Sequence, residues 1–198
     1  MKADIDGAVR IARIAGEFGW TWTEPDVARF CAATGWSVLH GDRGYGPNLR
    51  TDLDVHLAQC RVSFSARIMD RQEGGGGIID RFAVYVADSE RTESEKARFI
   101  AAHRELRDRL IEELGPTSEY VFGEDLEADY WRRTDVVVSV SVHDSFIQLD
   151  FVNPRYQRWL DEEGAYDFSY GDDDGDAGPV REVLRRIGRM FRRSSRVR

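Results

Sequence analysis

The segment from residue 135 to 153, DVVVSVSVHDSFIQLDFVN, narrows the choice of fold more than any other stretch of this chain. Valine and serine alternate up to Val142, the polar triplet His143-Asp144-Ser145 interrupts, and a second apolar-rich run follows to Val152. β-Branched residues at period two on both sides of a polar break predict a β-hairpin. A second alternation lies upstream. Cys60, Val62, Phe64, Ala66 and Ile68 fall on one side of an extended chain, and Arg61, Ser63, Ser65 and Arg67 on the other. After DRQEGGGG, the run IIDRFAVYVAD reads as its antiparallel partner.

Helical signals surround these strands. Ile5, Ala8, Ile11, Ala12, Ala15 and Phe18 recur at helical spacing from Ala3 onward. Thr23 reads as the cap of a second helix, with Pro25 in its first turn and Gly35 as its stop. The capping-box pattern Thr92-Glu93-Ser94-Glu95 opens a long helix that Gly115-Pro116 closes, and Asn153-Pro154 starts another. Residues 40–50 and the stretch GEDLEADYW (123–131) read as loops, with a first strand expected somewhere in 37–55.

The expected class is therefore α+β: an antiparallel sheet of about five strands covered on one face by helices, in the order α-α-β-β-β-α-β-β-α. Residues 1–164 form the expected domain, 165–178 an acidic Gly/Asp-rich hinge, and 179–198 a basic amphipathic helix and tail. Val180, Val183, Leu184, Ile187, Met190 and Phe191 line one face of that helix, and arginines occupy the others. Such a helix can dock in a partner groove or on an anionic membrane; the reading preferred here is that it caps the protein's own sheet.

Charge sets limits on partners. From Pro179 to Arg198 there are eight arginines and one glutamate, a net +7; the whole chain carries −8, which leaves −15 on residues 1–178. An acidic body repels phosphate and argues against nucleic acid as a partner, while suiting a basic protein. Of the 28 basic residues only Lys2 and Lys96 are lysines, a bias expected from a GC-rich genome. No run of roughly 18 apolar residues suggests a membrane span, and the charged N-terminus does not read as a signal peptide, so a cytosolic location is expected.

Chemical motifs are scarce. No GxSxG, GxxxxGK[ST] or GxGxxG occurs, and the four histidines lack zinc-site spacing. Cys31 and Cys60 read as small core residues, and His103, set among apolar neighbours, as a core histidine. Asp52, Asp54 and His56 alternate on one side of an extended segment and are the best metal candidates. A solvated polar face is the preferred reading there, so no enzyme, cofactor or metal is expected. The stretch YGDDDGDAG (170–178) fails as a calcium loop in both registers. Starting at Asp172 puts Ala177 in place of the glycine and Val183 in place of the terminal glutamate; placing Gly175 sixth puts Tyr170 first and Arg181 last.

The layout, with FGWTWTEPDVARFCAATGW, ELGPTSEY and DYWRRTDVVVSVSVHDSFIQLDFVNPRYQRW, resembles a group of small actinobacterial proteins over roughly residues 5–160. The element order is similar to secretion-chaperone-like domains, and it resembles immunity factors for NAD-cleaving necrotizing toxins, in which a loop plugs the toxin's active-site cleft. The resemblance implies a binding protein without chemistry of its own. Its plug would be the DRQEGGGG loop, with Arg71, Gln72, Glu73, Gly74 and Gly75 presented to the toxin. A chaperone or adaptor for a secreted substrate is the alternative, and a metal-dependent enzyme built on Asp52, Asp54 and His56 the third.

Overall fold

The computed structural model describes residues 1–39, 46–65, 77–88, 93–122, 127–143 and 145–163. In chain order these form β1 (Lys2–Ala3), α1 (Ile5–Glu17), α2 (Pro25–Thr34), β2 (Ser37–Val38), β3 (Asn48–Arg50), β4 (Gln59–Phe64) and β5 (Ile79–Asp88). There follow α3 (Glu93–Leu114), β6 (Glu119–Phe122), β7 (Glu127–Arg132), β8 (Val137–Val142), β9 (Phe146–Val152) and α4 (Pro154–Glu163). The class is α+β, as expected.

Among the described residues the sheet has nine strands rather than about five. Its order is β2-β3-β4-β5-β9-β8-β7-β6, with β1 paired to the end of β5 beyond β4. Every pairing is antiparallel. The hairpin expected at 143–145 joins β8 to β9, in register from Val142↔Ile147 to Val137↔Val152. The loop expected over 123–131 is corrected in its second half, because Glu127–Arg132 pairs along its length with β8. Acidic content hid this strand: Asp129 points into the sheet's covered face, where Arg107 Nε donates to it at 2.9 Å.

Strand alternation divides the sheet into two faces, since directly paired residues share a face. The ladder Val62–Phe82–Phe151–Val138–Trp131 and the ladder Leu49–Cys60–Val84–Leu149–Val140 are buried under α1, α2 and α3. Phe30 of α2 stands at the centre, its ring 5.1–5.8 Å from those of Phe18, Trp20, Trp36, Phe82 and Phe151. Trp22, Trp36 and Trp131 are buried and Trp20 and Trp159 half-buried, while both thiols are free and in the core.

Local signals explain the helix ends. The Asp4 carboxylate accepts from Gly7 N at 2.8 Å and caps α1. Thr23 does not cap α2; Asp26, inside the first turn, reaches back to accept from the backbone N–H groups of Thr21 and Trp22, both at 2.7 Å. This bond set holds Trp22 at φ 57°, in the left-handed region that a tryptophan rarely enters. Gly35 and Gly115 end α2 and α3 with φ of 78° and 86°, where glycine carries no steric cost. Among the described residues no helix is long and apolar enough to cross a membrane.

Candidate functional site

The face of the sheet opposite α1–α3 is polar yet largely out of water. Three successive ladders make it: Arg81–Val152–Val137–Arg132, then Ala83–Asp150–Ser139–Tyr130, then Tyr85–Gln148–Ser141–Ala128. Asp150 is 5% exposed and Gln148 3%. Gln148 Nε2 donates to both carboxylate oxygens of Asp150, at 2.8 and 3.0 Å, while Gln148 Oε1 is buried and has no hydrogen-bond partner among the described residues. Burial raises the Asp150 carboxyl above its ordinary range, and the Arg81 charge and the Gln148 bond only partly offset it.

Beside this pair, the Ser141 hydroxyl and His143 Nε2 lie 3.1 Å apart, and the His143 ring stacks on Phe146 at 4.4 Å. The Asp150 carboxylate is engaged by Gln148 rather than by His143, so the three do not line up as a proton relay. What the arrangement offers is a buried charge flanked by hydrogen-bonding groups. The sequence reading missed it. Its signal was present, because Gln148 and Asp150 alternate with Ile147, Leu149 and Phe151.

The Asp52, Asp54 and His56 side chains do alternate outward, with Leu53 and Val55 buried between them. Each has its own partner. Asp52 accepts from Trp36 Nε1 at 2.9 Å and Arg10 at 2.6 Å, Asp54 pairs with Lys2, and His56 Nδ1 lies 2.7 Å from Asp88. Burial alone would raise the Asp52 carboxyl, but the Trp36 and Arg10 bonds outweigh it and hold it below the usual range. Among the described residues no group of three His, Cys, Asp or Glu side chains is placed to hold a metal ion.

His103 is a core histidine, its Nε2 3.9 Å from the buried Asp129 carboxylate. Arg107 bonds the same carboxylate and lays its guanidinium 5.5 Å from the Tyr120 ring. An open groove with a volume of about 680 Å³ runs between the N-terminus and α3. The pairs Lys2–Asp54 and Asp6–Arg109 tie charges along it.

Arg71, Gln72, Glu73, Gly74 and Gly75 lie outside the described residues, as do the hinge at 165–178 and the basic segment 179–198. The two strands that residues 65–78 join are described. β4 and β5 stay paired up to Phe64↔Ile79, and Ser65 N donates to Ile78 O at 2.8 Å. Neighbouring chain braces this stem: Thr23 bridges to Ile78, and Ile79 N donates to Trp22 O. Gly46 packs so closely that a side chain there would stand 2.3 Å from Val62 O.

A family model described as a family of unknown function, DUF6301, matches residues 6–153. The comparisons with curated proteins and with solved structures gave no match.

Proposed function

The chain belongs to DUF6301, a family of unknown function, and for it we propose a non-enzymatic binding role: an immunity protein that neutralises a cognate secreted toxin by plugging its active-site cleft. The observation that carries this reading is the braced β4–β5 stem. A loop whose two ends are held by strand pairing, by the Thr23 bridge and by the Trp22 carbonyl loses less freedom on entering a cleft than one on loose ends. The −15 charge on residues 1–178 adds a second element, because an acidic inhibitor is steered toward a basic toxin surface. On this reading the plug is Arg71–Gly75, Gln72 is its leading side chain, and the protein acts in the cytosol.

The test is binding to a purified basic domain of the NAD-cleaving necrotizing-toxin class, measured by titration calorimetry. Gln72→Ala with Glu73→Ala is expected to weaken binding at least tenfold, which corresponds to about 1.4 kcal/mol. Unchanged affinity for that double variant, with the melting temperature also unchanged, rejects the plug.

A further inference from the structure

On the face of the sheet opposite α1–α3, strands β3, β4 and β5 carry three arginines in a straight row. The register pairs Arg50 with Gln59, Asn48 and Ala83 with Arg61, and Ser63 with Arg81. Arg50 therefore stands two residues to one side of Arg61 on the neighbouring strand, and Arg81 two residues to the other side on the strand beyond. Diagonal neighbours of this kind have Cβ atoms about 7–8 Å apart, so the row runs about 15 Å at even spacing. Arg50 and Arg61 are exposed and Arg81 is half-buried.

The register sets no acid opposite any of the three. Arg50 stands between Ser37 and Gln59, Arg61 between Asn48 and Ala83, and Arg81 between Ser63 and Val152. Opposite charges across strands stabilise a sheet, whereas like charges held side by side repel, so the row carries a cost that a bound anion would remove. Elsewhere in the fold arginines take acids: Arg10 takes Asp52, Arg29 takes Asp26, and Arg132 takes Glu119 and Asp161. A guanidinium is a planar fork that grips a carboxylate through two hydrogen bonds. In an extended peptide alternate side chains lie on one side about 6.8 Å apart, close to the spacing of the row.

We propose that the row Arg50–Arg61–Arg81 binds an extended acidic segment of a partner protein, one with a carboxylate at every second position and one carboxylate on each guanidinium. Asn48, Gln59 and Ser63, directly opposite the arginines, bring no competing charge and offer hydrogen-bonding groups to the same segment. A nucleic-acid strand fits less well. None of the residues in the row or directly opposite it is aromatic and able to stack a base, and the net charge of −8 on the chain repels a polyphosphate. The inference does not rest on the toxin reading, which uses residues 71–75.

The probe is a fluorescein-labelled synthetic peptide of alternating glutamate and threonine, titrated with the full chain and followed by fluorescence anisotropy. A peptide of the same composition with its glutamates in one block is the comparison. The alternating peptide should bind the more tightly, and Arg61→Gln, at the middle of the row, should weaken it about fivefold or more through loss of a charge-assisted pair. Arg104→Gln, at an exposed position on α3 across the sheet, removes the same charge and should leave binding unchanged. Absence of binding at about 50 mM salt, where screening is weak, overturns the proposal. So do equal affinities for the two peptides, or losses that are equal in Arg61→Gln and Arg104→Gln. An oligothymidylate of the same charge that binds more tightly than the peptide, and is lost with Arg61→Gln, gives the row to nucleic acid instead. Should Arg61→Gln lower the melting temperature, Arg50→Gln at the exposed end of the row carries the same test.

Discussion

Gln148 and Asp150, two residues apart on β9, meet on the polar face of the sheet, with the Gln148 amide donating to both carboxylate oxygens at 2.8 and 3.0 Å. One neutral donor and the Arg81 charge do not compensate the loss of water around this carboxylate, and its pKa is raised. A raised carboxyl binds its proton more tightly folded than unfolded. Its contribution is therefore intact at low pH and is lost as pH rises from the unfolded carboxyl's range, about 3.9, through the folded value. Asp150→Asn keeps an acceptor for Gln148 and removes the charge. It should raise the melting temperature at pH 7 by about 2–4 °C, the equivalent of about 1 kcal/mol, and change it little at pH 3. Melting curves at the two pH values decide; the same difference at both contradicts the argument.

Asp26 holds the turn that enters α2. Its carboxylate is fully buried and accepts from Thr21 N, Trp22 N, the Thr21 hydroxyl and Arg29. Without it Trp22 loses the bonds that keep it at φ 57°, and with them its stack on Trp20 at 4.4 Å. Asp26→Ala is expected to cost about 2–4 kcal/mol, since each unsatisfied buried donor costs about 1–3 kcal/mol. Chemical denaturation checks this, and a loss under 1 kcal/mol would show that the turn is held by other contacts.

Gly46 sits at φ 92° beneath the β4–β5 stem. A Cβ at this position would meet Val62 O at 2.3 Å and the Phe64 ring at 2.9 Å, so backbone and ring would both have to move. Gly46→Ala should destabilise by about 1–3 kcal/mol. It should also speed amide exchange at Ser65, whose N–H donates across the stem to Ile78 O, and at Ile79, whose N–H donates to Trp22 O. Exchange that is unaltered at both positions would separate Gly46 from the stem.

Four strands were legible because β4, β5, β8 and β9 each place apolar side chains on one face over several residues, even though register shifts at Phe64↔Ile79 and between Tyr85 and Ala87 break the strict alternation of β5. β2 and β3 are too short to show a period, and β7 carries Asp129 on the covered face, where a partner on α3 makes the acid acceptable. Thr23 looked like a cap because the pattern is local, whereas the bonds that form depend on how Trp22 turns. The polar face was visible as the other half of each alternation. That it is buried was not, because burial depends on which segments come to lie over it. The segment Asp52–His56 shows the same limit. Alternation put the three side chains outward, but their partners Arg10, Trp36, Lys2 and Asp88 come from distant parts of the chain.

That last arrangement yields a prediction about ions. A cation binding at Asp52, Asp54 and His56 would have to displace Arg10 and Trp36 from Asp52, Lys2 from Asp54, and Asp88 from His56. The depressed Asp52 pKa reflects two of these bonds, which favour its ionised form in the folded chain; Trp36→Phe should move that pKa upward. A depressed carboxyl stabilises the fold above its unfolded pKa and loses that contribution as pH falls through the folded value, so Trp36→Phe should also blunt the acid limb of the stability curve. Ligands already committed to protein partners give little binding energy to a metal, and a metal that does not bind does not stabilise. Millimolar zinc or manganese should therefore leave the melting temperature within about 1 °C of the metal-free protein. A rise of several degrees that Asp52→Asn abolishes would restore the metal reading of this segment.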